Sequence, residues 1–215
     1  MDIAYCMTRN LYPAFRKVVR SVLSFNDSNI HVVAEDEDIG FDCDVVEYHA
    51  EDFKVDYDFT KMCYARMMLP NLLKVDKVLY LDVDTIVCDS LEELWDTDLE
   101  GKWFGAVPER GHWNPWERDY YFNAGVLLMN LKQMRKDKAS EQIVQAINTG
   151  RYRFGEQDVM NHLFYDKIVK IPLRYNESNA TGETSDPAIV HFAGVRCWEK
   201  GKYHRCEYRD KWFCP

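Results

Sequence analysis

The chain has 215 residues, 47% of them apolar and 29% charged, with 10 Gly and 7 Pro. This is the composition of one globular domain, expected over residues 1–215, and it excludes disorder, collagen and low complexity. A net charge of −9 argues against a nucleic-acid partner, because nonspecific binding there rests on neutralised phosphates.

No apolar run approaches the roughly 18 residues of a membrane-spanning helix, and Ile3–Met7 is too short, and lacks the basic flank, for a signal peptide. The charge is unevenly spread. Residues 27–60 hold twelve acids against one base, Lys54, whereas residues 196–215 hold six bases against three acids, with Trp198, Tyr203, Tyr208, Trp212 and Phe213 among them. Such a tail reads in two ways: a solvated end packed by its aromatics, or a peripheral contact with an anionic membrane surface or a phosphate-bearing ligand. Seven cysteines without an export signal suggest reduced thiols and a cytoplasmic location. Cys197, Cys206, Cys214 and His204 lack zinc-site spacing, and the sequons at Asn26, Asn176 and Asn179 mean little in an unexported chain.

In chain order, Ile3–Met7 reads as a buried strand, and Leu11–Phe25 as a helix with Phe15, Val18, Val19, Val22 and Leu23 in phase. Ile30–Ala34 and Val45–Tyr48 are short strands, and Thr60–Leu73 is helical with Pro70 disturbing its end. Lys77–Leu81 is a compact apolar strand, and Ser90-Leu91-Glu92-Glu93 has the form of a capping box opening a helix through Trp95. Trp103–Val107 and Gly125–Asn130 are strands. Leu131–Asn148 is a long amphipathic helix ended by Gly150, and Gln157–Tyr165 is another helix. Ile168–Ile171 and Ala188–Phe192 close the strand list. Alternating strands and helices predict an α/β fold with a mostly parallel central sheet flanked by helices. Gly111–Trp116 and Asn176–Pro187 are loops.

The chemistry concentrates after the strand Val78-Leu79-Tyr80-Leu81. Asp82 and Asp84, separated by one residue, face the same side in extended geometry. Two carboxylates pointing together at a strand end repel and call for a cation, and ligands of open α/β sheets gather at the carboxyl ends of strands. A divalent metal there could grip a nucleotide's phosphates. His191, ending the apolar strand Ala188-Ile189-Val190, is the natural third ligand, and an imidazole beside two carboxylates favours Mn²⁺ over Mg²⁺. Asn123 suits sugar hydroxyls at a strand mouth. Gly125 allows close backbone approach or merely makes a turn. Glu156-Gln157-Asp158 are either site residues or first-turn residues favoured by a helix dipole. Arg66 pairs with a phosphate, a sugar or a nearby acid. Trp113, Trp116, Tyr120 and Tyr121 suit stacking on sugars or anchoring of their own loop.

The ordered set of Ile3–Asn10, Tyr64–Pro70, Lys77–Val87, Leu91–Trp95, Phe122–Val126, Glu156–Asn161 and His191–Gly194 resembles glycosyltransferase family eight, with matches spanning residues 3–198. The resemblance implies a GT-A (Rossmann-like) fold and the retaining transfer of a hexose from a UDP-sugar, with Mn²⁺ or Mg²⁺, to a glycan or glycolipid acceptor. Asp82, Asp84 and His191 fall on the family's metal ligands. Arg66 falls near the donor sugar and diphosphate, Asn123 on the sugar, Gln157 beside the anomeric carbon, and Glu156 on the sugar hydroxyls. Asp158 and Glu156 are candidate covalent nucleophiles, although Gln157 is a poor nucleophile and front-face attack is favoured. Ala4, Tyr5, Thr8 and Asn10 fall where the nucleotide is held, with Val83, Ala124 and Gly194 also on the donor. Thr8 stands where relatives often carry Asp, and Arg196 stands in for a lysine that reaches the diphosphate. Two rival readings are a binding module without turnover and a phosphatase of the haloacid-dehalogenase kind. The latter would need a threonine two places beyond Asp84, where Ile86 stands.

Overall fold

The apolar runs alternate their side chains between the two faces of a central sheet. The protein is described by a computed structural model covering residues 1–36, 38–54, 61–111 and 114–194. Thr60, Trp113, Arg196 and the rest of the basic tail lie outside the described residues. The strands are β1 (Asp2–Met7), β2 (Asn29–Ala34), β3 (Asp44–Glu47), β4 (Val78–Leu81), β5 (Thr85–Val87), β6 (Phe104–Ala106), β7 (Val126–Met129), β8 (Ile168–Lys170) and β9 (Ile189–His191). Seven form one sheet in the order β3-β2-β1-β4-β7-β6-β8, and β5 pairs with β9 in a separate ribbon. The pairings are parallel except where antiparallel β7 lies between β4 and β6, so the sheet is mostly parallel, as expected.

Ile3, Tyr5, Met7, Leu79, Leu81, Val126 and Leu128 pack on one face. Ala4, Cys6, Val78, Tyr80, Leu127 and Met129 pack on the other. This period-2 alternation with both faces apolar requires helices on both sides. Helix α1 (Tyr12–Leu23) covers the first face through Phe15, Val18, Val19 and Val22. The second face is covered by a segment of 3₁₀ helix, Lys61–Met68, and by α2 (Leu69–Leu72), α4 (Leu131–Lys136), α5 (Ala139–Thr149) and α6 (Gly155–Leu163). A short α3 (Glu92–Trp95) precedes β6.

Several elements differ from the sequence reading. The expected helix 60–73 is 3₁₀ up to Met68, and Pro70 opens α2 instead of ending a helix, because a residue without an N–H fits a first turn. The expected helix 131–148 breaks at Lys138, whose φ is 54°. Asp137 pins the break, accepting from the Trp103 indole at 2.7 Å and from Gln133 at 2.8 Å. Met134 and Ile143 still both reach the core, so the apolar period runs through the break and hides it. The capping box does not form: Ser90 Oγ accepts from Glu92 N at 3.3 Å, while Glu93 accepts from the Tyr175 hydroxyl at 3.3 Å. Thr85–Val87, directly after the acidic pair, is a short strand not expected from the sequence, and it takes β9 out of the main sheet.

Tyr5 is wholly buried beside Phe15, with ring centroids 5.2 Å apart, and its hydroxyl finds no hydrogen-bond partner among the described residues. An unpaired buried hydroxyl costs free energy on folding. Tyr5→Phe should therefore raise stability by roughly 1 kcal/mol, read as an increase in melting temperature; a lowered melting temperature would show that the hydroxyl is satisfied.

Candidate active site

The site forms where two chain reversals bring distant residues to the carboxyl end of β4. Asp82 leaves β4, and its N–H donates to Gly125 O at 2.8 Å. Because β7 runs antiparallel to β4, with Leu81 opposite Val126, the residues entering β7 (Asn123, Ala124 and Gly125) lie beside the acids leaving β4. The ribbon supplies the third part. Thr85 lies opposite His191 in the β5–β9 register, and Phe192 N donates to Asp84 O at 2.9 Å, so the imidazole is delivered to the acidic pair.

His191 Nε2 lies 3.4 Å from Asp84 Oδ1 and 3.8 Å from Asp82 Oδ2. One donor atom from each of these three residues lies within 4.8 Å of the others. Hard carboxylate oxygens with one imidazole nitrogen fit a divalent cation of the Mn²⁺ or Mg²⁺ kind. Gly125 has a steric role here, since a β-carbon on it would overlap the His191 ring.

Arg66 borders the acids on the other side. Its side chain is buried, with Nη1 3.0 Å from Asp82 Oδ1 and Nε 3.4 Å from Glu156 Oε1. It donates to Ala124 O at 2.6 Å and Cys63 O at 2.8 Å, and its guanidinium lies 4.6 Å from the centre of the Tyr80 ring. The Tyr80 hydroxyl donates to Asp82 Oδ1 at 2.5 Å.

Burial alone would lower the Arg66 pKa, but Asp82, Tyr80 and Glu156 outweigh it and hold the cation. Burial pushes the Glu156 carboxyl up to about 7 against the pull of Arg66. Burial also pushes Asp84 up, but the charge and hydrogen bond of His191 dominate and leave its carboxyl below the usual range. The His191 imidazole rises in return: burial disfavours its charge, and Asp84 more than restores it.

These groups line one cleft of about 260 Å³, with Cys63, Arg66, Asp82, Asp84, Asn123, Ala124, Gly125, Phe154, Glu156, Gln157, His191, Ala193 and Gly194 on its walls. The family model described as glycosyl transferase family 8 matches residues 12–201. The chain belongs to glycosyltransferase family 8. It is similar to the galactosyltransferase LgtC solved with donor and acceptor sugar analogues, at 26% identity and a TM-score of 0.81, covering 99% of this chain and 95% of that one. This likeness establishes the GT-A fold. The chain is 27% identical over 187 residues to General stress protein A of Bacillus subtilis, covering 72% of this chain and 64% of that protein. It is 29% identical over 169 residues to the glycosyltransferase GlyB of Streptococcus pneumoniae, covering 70% of this chain and 41% of that protein. The chain thus spans less than two thirds of the length of these curated relatives. Membership of the family leaves the phosphatase reading without support.

Of the residues expected at a family 8 site, Arg66, Asp82, Asp84, Asn123, Ala124, Glu156, Gln157, His191 and Gly194 share the cleft. Asp158 does not line it. Its carboxylate accepts from the Tyr121 hydroxyl at 2.7 Å and from Phe154 N at 2.9 Å, which supports the entry to α6. Val83 turns into the core, and the side chains of Ala4 and Tyr5 are wholly buried in β1. Thr8 and Asn10 hydrogen-bond to each other just past the end of β1. That end lies on the same side of the sheet as Asp82, because β1 and β4 are parallel neighbours.

Four partners escaped the sequence reading. The sequence marks Tyr80 only as part of an apolar strand, although its side chain, two positions before Asp82, shares that residue's face. Cys63, one turn before Arg66, carried no signal. Asn176 lay inside a sequon, and Glu109 in a loop with no motif. Glu109 Oε1 accepts from Asn123 Nδ2 at 2.8 Å and from Gln157 Nε2 at 3.1 Å, while Gln157 Oε1 accepts from Ala124 N at 2.8 Å.

Gly125→Ala should displace the His191 ring and cost roughly 1–3 kcal/mol, measured by denaturant unfolding. Wild-type stability in that variant would contradict the close approach of ring and backbone.

Proposed function

We propose that this chain is a retaining hexosyltransferase, moving glucose or galactose from a UDP-sugar to a hydroxyl of a glycan or glycolipid acceptor. In this reading Asp82, Asp84 and His191 hold Mn²⁺. The observation that carries it is the convergence of those three donors in the same cleft as Arg66, Asn123, Glu156 and Gln157. When bound, the metal supplies Lewis-acid charge that counters the negative charge of the leaving diphosphate.

Arg66 adds a fixed cation beside the acids, held in place by two backbone carbonyls and two carboxylates. A preorganised charge of this kind stabilises a departing anion without reorganising as the bond breaks. Asn123 and the Glu156 carboxyl, with its raised affinity for a proton, are suited to hydrogen-bond the sugar hydroxyls. The Gln157 amide is pinned by Ala124 N and Glu109 and offers a carbonyl dipole to the developing charge at the anomeric carbon.

The surroundings of the carboxylates favour front-face attack. Asp158 is committed to Tyr121 and Phe154, Glu156 to Arg66, and Gln157 is no nucleophile. The bond from the anomeric carbon to the diphosphate oxygen breaks, the bond to the acceptor oxygen forms on the same face, and the acceptor's proton passes to the leaving diphosphate oxygen.

Among the described residues no helix is long and apolar enough to cross a membrane. A screen of UDP-sugars for Mn²⁺-dependent hydrolysis should reveal one preferred hexose, and Asp82→Asn or Asp84→Asn should lower that rate by about a hundredfold or more with the fold intact. Rates unchanged in both variants would remove the metal assignment, and UDP binding without any donor hydrolysis would favour a module without turnover.

A further inference from the structure

The hydrogen bonds behind the cleft have a direction that can be worked out from chemistry alone. A backbone N–H only donates and a carboxylate only accepts. Gly125 N donates to the Asn123 side chain at 2.9 Å, so the atom facing it is Oδ1. Glu109 accepts from the other end of the same amide. Asn123 is therefore fixed at both ends and cannot reverse.

Its oxygen must then receive the next hydrogen bond, 2.8 Å long, from Nδ2 of Asn176. That leaves Asn176 Oδ1 facing His191 Nδ1 at 2.9 Å. An oxygen there demands a proton on Nδ1. The far nitrogen, Nε2, faces Asp82 and Asp84, and it is the one left to give up its proton and offer a lone pair to a metal. Asn176 is wholly buried, so no water competes for this contact.

We propose that Asn176, held by Asn123 and Glu109, is a positioning residue that fixes the Nδ1-protonated tautomer of His191 and so presents Nε2 as a metal ligand. The inference rests on the metal reading above for its purpose, though not for its geometry. Second partners of ligating imidazoles set ring orientation and tautomer, and their loss weakens metal binding about 10- to 100-fold. The burial of Asn176 also gives its sequon a structural meaning: the amide is engaged inside the fold and is not offered for modification.

Two measurements test the relay. In the metal-free protein labelled with ¹⁵N-histidine, two-bond ¹⁵N–¹H spectra of the neutral imidazole should place the His191 proton on Nδ1, even though two carboxylates attract it to Nε2. A proton on Nε2 with Nδ1 bare would overturn the proposal, and this result needs no variant and no metal.

Mn²⁺ titrations followed by electron paramagnetic resonance, without nucleotide, then compare the wild type with a variant whose fold is checked by circular dichroism. Asn176→Leu, which cannot accept from Nδ1, should lose roughly 10- to 100-fold in Mn²⁺ affinity. Equal affinity in Asn176→Leu and the wild type would overturn the proposal. If Asn176→Leu does not fold, the tautomer of the wild type decides alone. Failure of the wild type to bind Mn²⁺ would remove the metal reading, while the tautomer would still decide the relay.

Discussion

Two carboxylates one residue apart at the end of a buried strand repel each other, and the architecture around them answers that repulsion. Arg66 stands against Asp82 on one side, the Tyr80 hydroxyl donates to the same carboxylate from below, and His191 closes on Asp84 from the other. Glu156 adds a third acid to the neighbourhood. With Arg66 set against Asp82, and the imidazole able to give up its Nε2 proton, the Asp82 and Asp84 carboxylates keep a residual affinity for positive charge. That is the electrostatic character a divalent cation needs, and in the proposed function the cation then meets the diphosphate of the donor.

The geometry is produced by topology as much as by residue type. A purely parallel sheet would leave only the outgoing ends of its strands at this edge. The antiparallel strand β7 brings an incoming chain beside β4, so Asn123, Ala124 and Gly125 line the cleft beside Asp82. The β5–β9 ribbon performs a second reversal, delivering a residue more than a hundred positions away in sequence onto the acidic pair. Gly125 is the point at which the two meet, since the space of its missing side chain is taken by the imidazole.

Much of this was legible in the sequence, and the failures have physical causes. The four-residue apolar run before Asp82 marked a central strand, period-2 logic put both acids on one side, and β9 was visible as an apolar run ending in histidine. The sheet's composition was legible because its strands are apolar on both faces. Less visible were features whose meaning lies in a partner far along the chain. Asp158 has the chemistry of a catalytic acid, and only the packed structure reveals that Tyr121 and Phe154 occupy it. Asn176 and Glu109 act by accepting or donating in a defined direction, and hydrogen-bond direction leaves no periodic trace. The break at Lys138 was hidden for the opposite reason, because both halves of the interrupted helix keep the same apolar face to the core.

In the proposed function Asp82, Asp84 and His191 together bind one divalent cation in contact with a nucleotide diphosphate. Anomalous scattering from crystals grown with Mn²⁺ and UDP tests it most directly. One strong manganese peak bounded by Asp82, Asp84 and His191, and touching both phosphates, is the expected result. A diphosphate bound in the cleft with no manganese between it and these side chains would contradict it.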